Sequence, residues 1–183
     1  MPLEIEAKFS LADPQAMRKT LREAGARPLS SLLEHNVYFD RPDGSLRRDD
    51  CGLRLRTEQA ADGKSRTLLT YKGPRQSGQF KIRQEEEVTV DSAAEAEAIL
   101  KGLGFEPTLS FHKRRENYHL AGASISLDEL PELGFFLEIE AGDECTVALT
   151  RQALHLEDQP TITKTYLALV AEHLPPGKKQ LNF

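Results

Sequence analysis

The sequence has no tryptophan, only two cysteines and an aromatic content of 7% in 183 residues. So thin an aromatic supply leaves few stacking platforms for nucleic acid, and a net charge of −5 supplies no basic field to attract it. Cys51 and Cys145 stand far apart and outside any CxxC or Cys/His cluster. That argues against a disulfide framework or a zinc site and points to a reducing cytosol. His35, His112, His119, His155 and His173 are scattered, and none is assigned to metal or catalysis. No apolar run approaches the roughly 18 residues that a spanning helix needs, and the N-terminal segment is acidic rather than signal-like. With nucleic acid and membrane set aside as partners, the expectation is a cytoplasmic protein. Its 39% hydrophobic and 29% charged residues suit one globular domain over 1–183, with 175–183 as a flexible tail.

What is present is a series of short strands broken by a few helices. Leu3 to Phe9 alternates as a strand. Asp13-Pro14 offers an N-cap and a first-turn proline, and Gly25 a stop, for a helix over roughly 14–24. A strand from Asn36 to Arg41 ends in the turn signal Pro42-Asp43-Gly44. Strands follow over Leu53–Glu58, Thr67–Lys72 and Phe80–Val90, the last preceded by a loop over Gly73–Gly78. Ser92 with Glu95 forms a capping box for a helix ending near Gly102. Strands near 110–120, 123–128 and 135–141 come next, then helices near 145–156 and 163–173.

The polar face of these strands is unusual. A half-buried strand ordinarily turns one face to the core and a mixed polar face to water. Here nearly every second residue is charged. Side chains two apart share a face, roughly 6.5 Å apart along the strand. Glu4, Glu6 and Lys8 are therefore grouped, as are Arg54 with Arg56, Lys81, Arg83, Glu85 and Glu87, Lys113 with Arg115, and Glu138 with Glu140. The tetrapeptide Glu-Ile-Glu-Ala occurs twice, at 4–7 and 138–141. Two readings are open: solvated outer faces, or a closed barrel whose charged faces line a wet lumen while helices cover the apolar outside. The second suits a polyanion with its metal ions. Arginine forks would grip phosphate oxygens, and carboxylates would hold a hard divalent cation.

Several of these segments, in order, resemble the CYTH superfamily, the triphosphate tunnel metalloenzymes, which include class IV adenylyl cyclases and thiamine and inorganic triphosphatases. Glu4-Ile5-Glu6-Ala7-Lys8 is similar to its ExExK signature, Tyr38-Phe39-Asp40 to its aromatic-aromatic-Asp strand, and Leu53-Arg54-Leu55-Arg56 to its LRxR strand. Lys72, Arg83-Gln84-Glu85-Glu86-Glu87, Lys113-Arg114-Arg115, Leu127-Asp128 and the run Leu133 to Glu140 match later strands. Thr163-Lys164-Thr165-Tyr166 matches a basic-Ser-Tyr motif, with threonine in place of serine.

The resemblance implies an α+β fold built on a closed eight-stranded antiparallel tunnel, and a Mg²⁺- or Mn²⁺-dependent reaction on a small-molecule triphosphate. By that resemblance Glu4, Glu6, Glu138 and Glu140 are the metal carboxylates. Glu85, Glu87 and Asp128 are weaker metal candidates. Arg54, Arg56, Lys72, Arg83, Lys113, Arg115 and Lys164 form the substrate clamp. Lys8, with Glu4 and Glu6, is placed in the catalytic set, its alternative role being to neutralise Glu6. Tyr38 and Phe39 alternate, so at most one faces the tunnel. Hydrolysis, cyclisation of ATP and non-catalytic polyphosphate binding all stay open, as does pairing of two copies through the outer walls.

Overall fold

The computed structural model describes residues 3–75 and 81–183, with side chains placed for 5–75 and 83–183. Part of the Gly73–Gly78 loop, Phe80 at the expected strand start, and the side chains of Glu4 and Lys81 lie outside the described residues.

Nine strands are joined in one sheet. They are β1 (Leu3–Leu11), β2 (Arg27–Asp40), β3 (Gly52–Ala60), β4 (Ser65–Lys72), β5 (Lys81–Val90), β6 (Glu106–Leu120), β7 (Ala123–Leu130), β8 (Gly134–Ala141) and the short β9 (Gln180–Leu181). Their order is β2-β3-β4-β5-β1-β8-β7-β6-β9, and β2 pairs with β6 as well as with β3. Every ladder is antiparallel except β6–β9. The sheet is strongly curled. Arg56 on β3 reaches Glu87 on β5 at 3.2 Å across the intervening β4, and Arg115 on β6 pairs with Glu138 on β8 across β7. Contacts that skip a strand require side chains converging on a concave face.

Helices α1 (Pro14–Glu23), α2 (Ser45–Arg48), α3 (Ala93–Gly102), α4 (Glu144–Ala153) and α5 (Tyr166–His173) complete the described elements. The capping signals read from the sequence operate as expected. Asp13 accepts from the amides of Gln15 and Ala16 at 2.9 and 3.0 Å, and Ser92 accepts from Glu95 at 3.2 Å. Gly25, at φ +80°, ends the first helix region in a conformation that costs glycine nothing.

Two outward-facing cores result. Ile5, Ala7 and Phe9 of β1 pack with Ile125, Leu127, Leu137 and Ile139, under Met17 and Leu21 of α1 and Val147 of α4. Phe39, Leu53 and Leu55 pack with Ala96 and Leu100 of α3. A third cluster joins Tyr38, Phe111, Leu130 and Phe136 to Tyr166 and Val170 of α5 and Leu181 of β9. Tyr38 and Phe39 thus part to opposite sides, as their alternation requires.

Three differences from the sequence reading have physical causes. β2 begins at Arg27 rather than Asn36, because its ladder with β6 runs from Arg27↔His119 to Asp40↔Glu106, register shifts included. Nothing local marks that stretch, and Leu29 and Leu33 remain exposed. The short α2 was not foreseen. Asp40 makes it, accepting from the amides of Leu46 at 2.9 Å and Arg47 at 3.1 Å. The 175–183 segment, expected to trail free, returns along β6: Ser110 and Phe111 pair with Gln180 and Leu181, and Leu181 is fully buried. Among the described residues no helix is long and apolar enough to cross a membrane.

Candidate functional site

On the concave face the charges fall into two neighbourhoods. The first is basic and centres on β2, β3 and β6. Arg54 and Arg56 project from β3, Lys113 and Arg115 from β6, and all four surround Glu34 of β2. Glu34 is 0% exposed. Its carboxylate lies 3.6 Å from Arg56 Nη1, 3.6 Å from Arg115 Nε and 3.4 Å from Lys113 Nζ. Burial pushes its pKa up, but Lys113, Arg115, Arg56 and Arg54 outweigh it and bring the value down to about 2. Arg56 moves the other way for a base: burial lowers it, and so do its neighbours Arg54 and Arg115. Asp128 anchors the row from β7, accepting from Lys113 at 3.1 Å and from Arg115 at 2.7 and 2.6 Å.

The second neighbourhood is acidic and lies on β1 and β8. Register sets Glu6 opposite Glu140 and Lys8 opposite Glu138. Lys8 is 2% exposed; its ammonium lies 3.2 Å from Glu6 and 3.1 Å from Glu138, donates to the Lys164 carbonyl at 3.2 Å, and sits 4.1 Å from the Tyr166 ring centre. Burial lowers its pKa, yet Glu138 and Glu6 leave it raised, so it stays an ammonium at neutral pH. Glu140 is raised by enclosure and then by Glu138, Glu6 and Glu85, against Lys72. Enclosure and like charge therefore act together on this carboxylate.

The expected residues divide accordingly. Arg54, Arg56, Lys113 and Arg115 are brought together, as are Glu6, Glu138 and Glu140. Lys72 pairs with Glu85, and Glu87 takes up Arg54, Arg56 and Thr70. Arg83 is held by Asp50 at 3.1 Å, from the carboxylate and from the backbone carbonyl alike. Glu4 is opposite Arg83 in register, and its side chain lies outside the described residues. Glu85, Glu87 and Asp128, the weaker metal candidates, are each paired with cations; Asp128 is 0% exposed and also accepts from the Tyr166 hydroxyl at 2.8 Å. Lys164 departs from the clamp. Its side chain is 54% exposed and pairs with Glu172 at 2.7 Å on the surface.

The motif around Lys164 serves a different purpose. Thr165 caps α5 by accepting from Ala168 at 3.1 Å, which delivers Tyr166 to Asp128. Sequence reading named Tyr166 within its motif without giving it a role, and passed over Glu34 and Asp50. Glu34 shared its face with Asn36 and Tyr38 by simple alternation, so it was findable had the strand been extended. Asp50 carried no signal: it sits in a turn at φ +54° and meets Arg83 through tertiary contact.

The donor set has the chemistry for a hard divalent cation, since Glu6, Glu138 and Glu140 offer carboxylate oxygens on neighbouring strands. Among the described residues, however, no group of three or more metal-binding side chains stands ready at cage spacing. Glu6 and Glu138 are turned to Lys8 and Arg115.

The model of the CYTH domain family matches residues 2–166. A Methanocaldococcus jannaschii protein, whose name proposes it as an adenylate cyclase, is 30% identical over 91% of this chain and 98% of its own length. The adenylate cyclase CyaB of Aeromonas hydrophila is 31% identical over 82% of this chain and 76% of its own. Among solved structures, the PH1819 protein of Pyrococcus horikoshii superposes with a TM-score of 0.81 at 28% identity, over 93% of this chain and 99% of the other.

Proposed function

The chain belongs to the CYTH domain family, and from that premise we propose a divalent-metal-dependent enzyme acting on a small-molecule triphosphate. The reaction is either hydrolysis of a triphosphate or cyclisation of ATP to cyclic AMP and pyrophosphate. The observation that carries this reading is the convergence of Arg56, Lys113 and Arg115 within 3.6 Å of one buried carboxylate, with Arg54 beside them. Among the described residues the buried Nε atoms of Arg54, Arg56 and Arg83 have no hydrogen-bond partner, although Glu58 lies 3.3 Å from that of Arg56. Guanidinium groups packed against one another, with unmet donors, want an anion richer than the carboxylates already there. In this reading the curled sheet is a closed tunnel, which the double pairing of β2 supports.

Within it Arg54, Arg56, Lys72, Arg83, Lys113 and Arg115 bind and orient the triphosphate. Fixed cations aimed at developing charge supply most of the help such a transfer needs. Glu6, Glu138 and Glu140, with Glu4 on the same strand face, would hold Mg²⁺ or Mn²⁺. The bound cation would offset phosphate charge and polarise the attacking oxygen. Lys8, locked between Glu6 and Glu138, positions those carboxylates rather than moving a proton, because its raised pKa leaves it no free base form.

A polyphosphate-binding module without turnover is the second reading, favoured by the lack of a preformed cation cage among the described residues. One experiment separates them. Protein is incubated with Mg²⁺ or Mn²⁺ and tripolyphosphate, thiamine triphosphate or ATP, and products are identified as phosphate, pyrophosphate or cyclic AMP. We expect a metal-dependent product from at least one substrate, lost in Glu138→Gln. Binding without any product would replace the enzyme by the module; neither binding nor product would end both.

A further inference from the structure

Glu34 and Asp128 are both fully buried and both face Lys113 and Arg115, yet they hold them differently. Asp128 makes charge-assisted hydrogen bonds at 2.6 to 3.1 Å. Glu34 stays 3.4 to 3.6 Å from Lys113, Arg115 and Arg56, and its Oε1 has no hydrogen-bond partner among the described residues. The nearby Asn36 amide donates to Glu34 at 3.4 Å, while the Asn36 Oδ1 is also unmet. Asp128 therefore fixes where the cations stand, and Glu34 contributes charge among them with little bonding.

We infer that Glu34 is a resident counter-anion of the cation row, one that shares the four cations with any incoming triphosphate and so sets how tightly that triphosphate is held. This rests on the triphosphate reading above and deepens it. Without a carboxylate there, Arg56, Lys113 and Arg115 would lose the anion that all three share, leaving them their other partners Glu58, Glu87, Asp128 and Glu138. With it, an incoming anion meets a like charge a few ångströms away and binds more loosely, which favours release of a cleaved product. Glu34 acts here as a specificity-determining residue. The site discriminates by charge count, since a ligand with more negative charge competes better against a shared carboxylate that is only loosely bonded to the row.

The test is isothermal titration of tripolyphosphate, without divalent metal, into wild-type protein, Glu34→Gln, Lys113→Met and the double variant. Glu34→Gln keeps the shape and removes the charge, so its dissociation constant is expected to fall by about tenfold. Lys113→Met is expected to weaken binding, and adding Glu34→Gln to restore it toward wild type. The double variant also removes one cation, which keeps the comparison readable should Glu34→Gln fail to fold. Unchanged or weaker binding in Glu34→Gln, or no recovery in the double variant, would overturn the role given to Glu34. No binding by wild-type protein would instead remove the triphosphate reading on which it rests.

Discussion

Two glutamates on one concave face respond oppositely to their surroundings. Glu34 is the more deeply buried, and burial alone would make it the weaker acid; instead its pKa falls to about 2. Glu140 moves up, first through enclosure and then through the carboxylates around it. Around Glu34 the cations overrule burial, whereas around Glu140 the carboxylates add to it. Four cations surround Glu34, whereas Glu140 has Glu138, Glu6 and Glu85 near it and Lys72 as relief. Under the proposed function, the basic side would take the triphosphate and the acidic side its metal ion.

The largest expected effect comes from breaking the basic side. Asp128→Ala leaves Lys113, Arg115 and the Tyr166 hydroxyl without their shared acceptor, in a site that is 0% exposed. Removing one partner of a buried ionic network costs about 3–5 kcal/mol. Denaturant unfolding should show that loss, and a loss below about 1 kcal/mol would mean that Glu34 alone can hold the row.

Titration sharpens the comparison, because the two glutamates have opposite signs. Glu34 is depressed in the folded state, so its stabilisation is complete above the ordinary value of 4.5 and is lost as pH falls toward about 2. Glu140 is raised, so its favourable protonated form is present below 4.5 and lost as pH rises above it. Thermal melts of the metal-free protein should therefore show Glu140→Gln gaining on wild type above pH 4.5. Glu34→Gln should lose its deficit below that pH. Parallel curves for all three proteins would show the neighbourhoods to be electrically equivalent.

The smallest effect is expected from Lys164→Ala, which lies in neither neighbourhood. Its pair with Glu172 is exposed, and such pairs are worth at most about 1 kcal/mol. Its carbonyl contact to Lys8 survives the substitution. Tripolyphosphate affinity and melting temperature close to wild type would confirm that the motif works through Tyr166. A tenfold loss of affinity would return Lys164 to the clamp.

Much of this was legible in the chain. Alternation put Arg54 with Arg56 and Glu138 with Glu140 on one face, because a strand turns successive side chains to opposite sides whatever it pairs with. The Asp13 and Ser92 caps worked because their partners lie within three residues. Chain-local physics fixes such features, and the order of motifs carried the family. Tertiary structure alone decided who meets whom. Glu34 finds Lys113 and Arg115 some eighty residues along the chain, Lys164 turns out to Glu172, and Asp50 takes Arg83 from across a turn. Which sign of shift a carboxylate feels depends on neighbours delivered by strand pairing, and no local pattern encodes those.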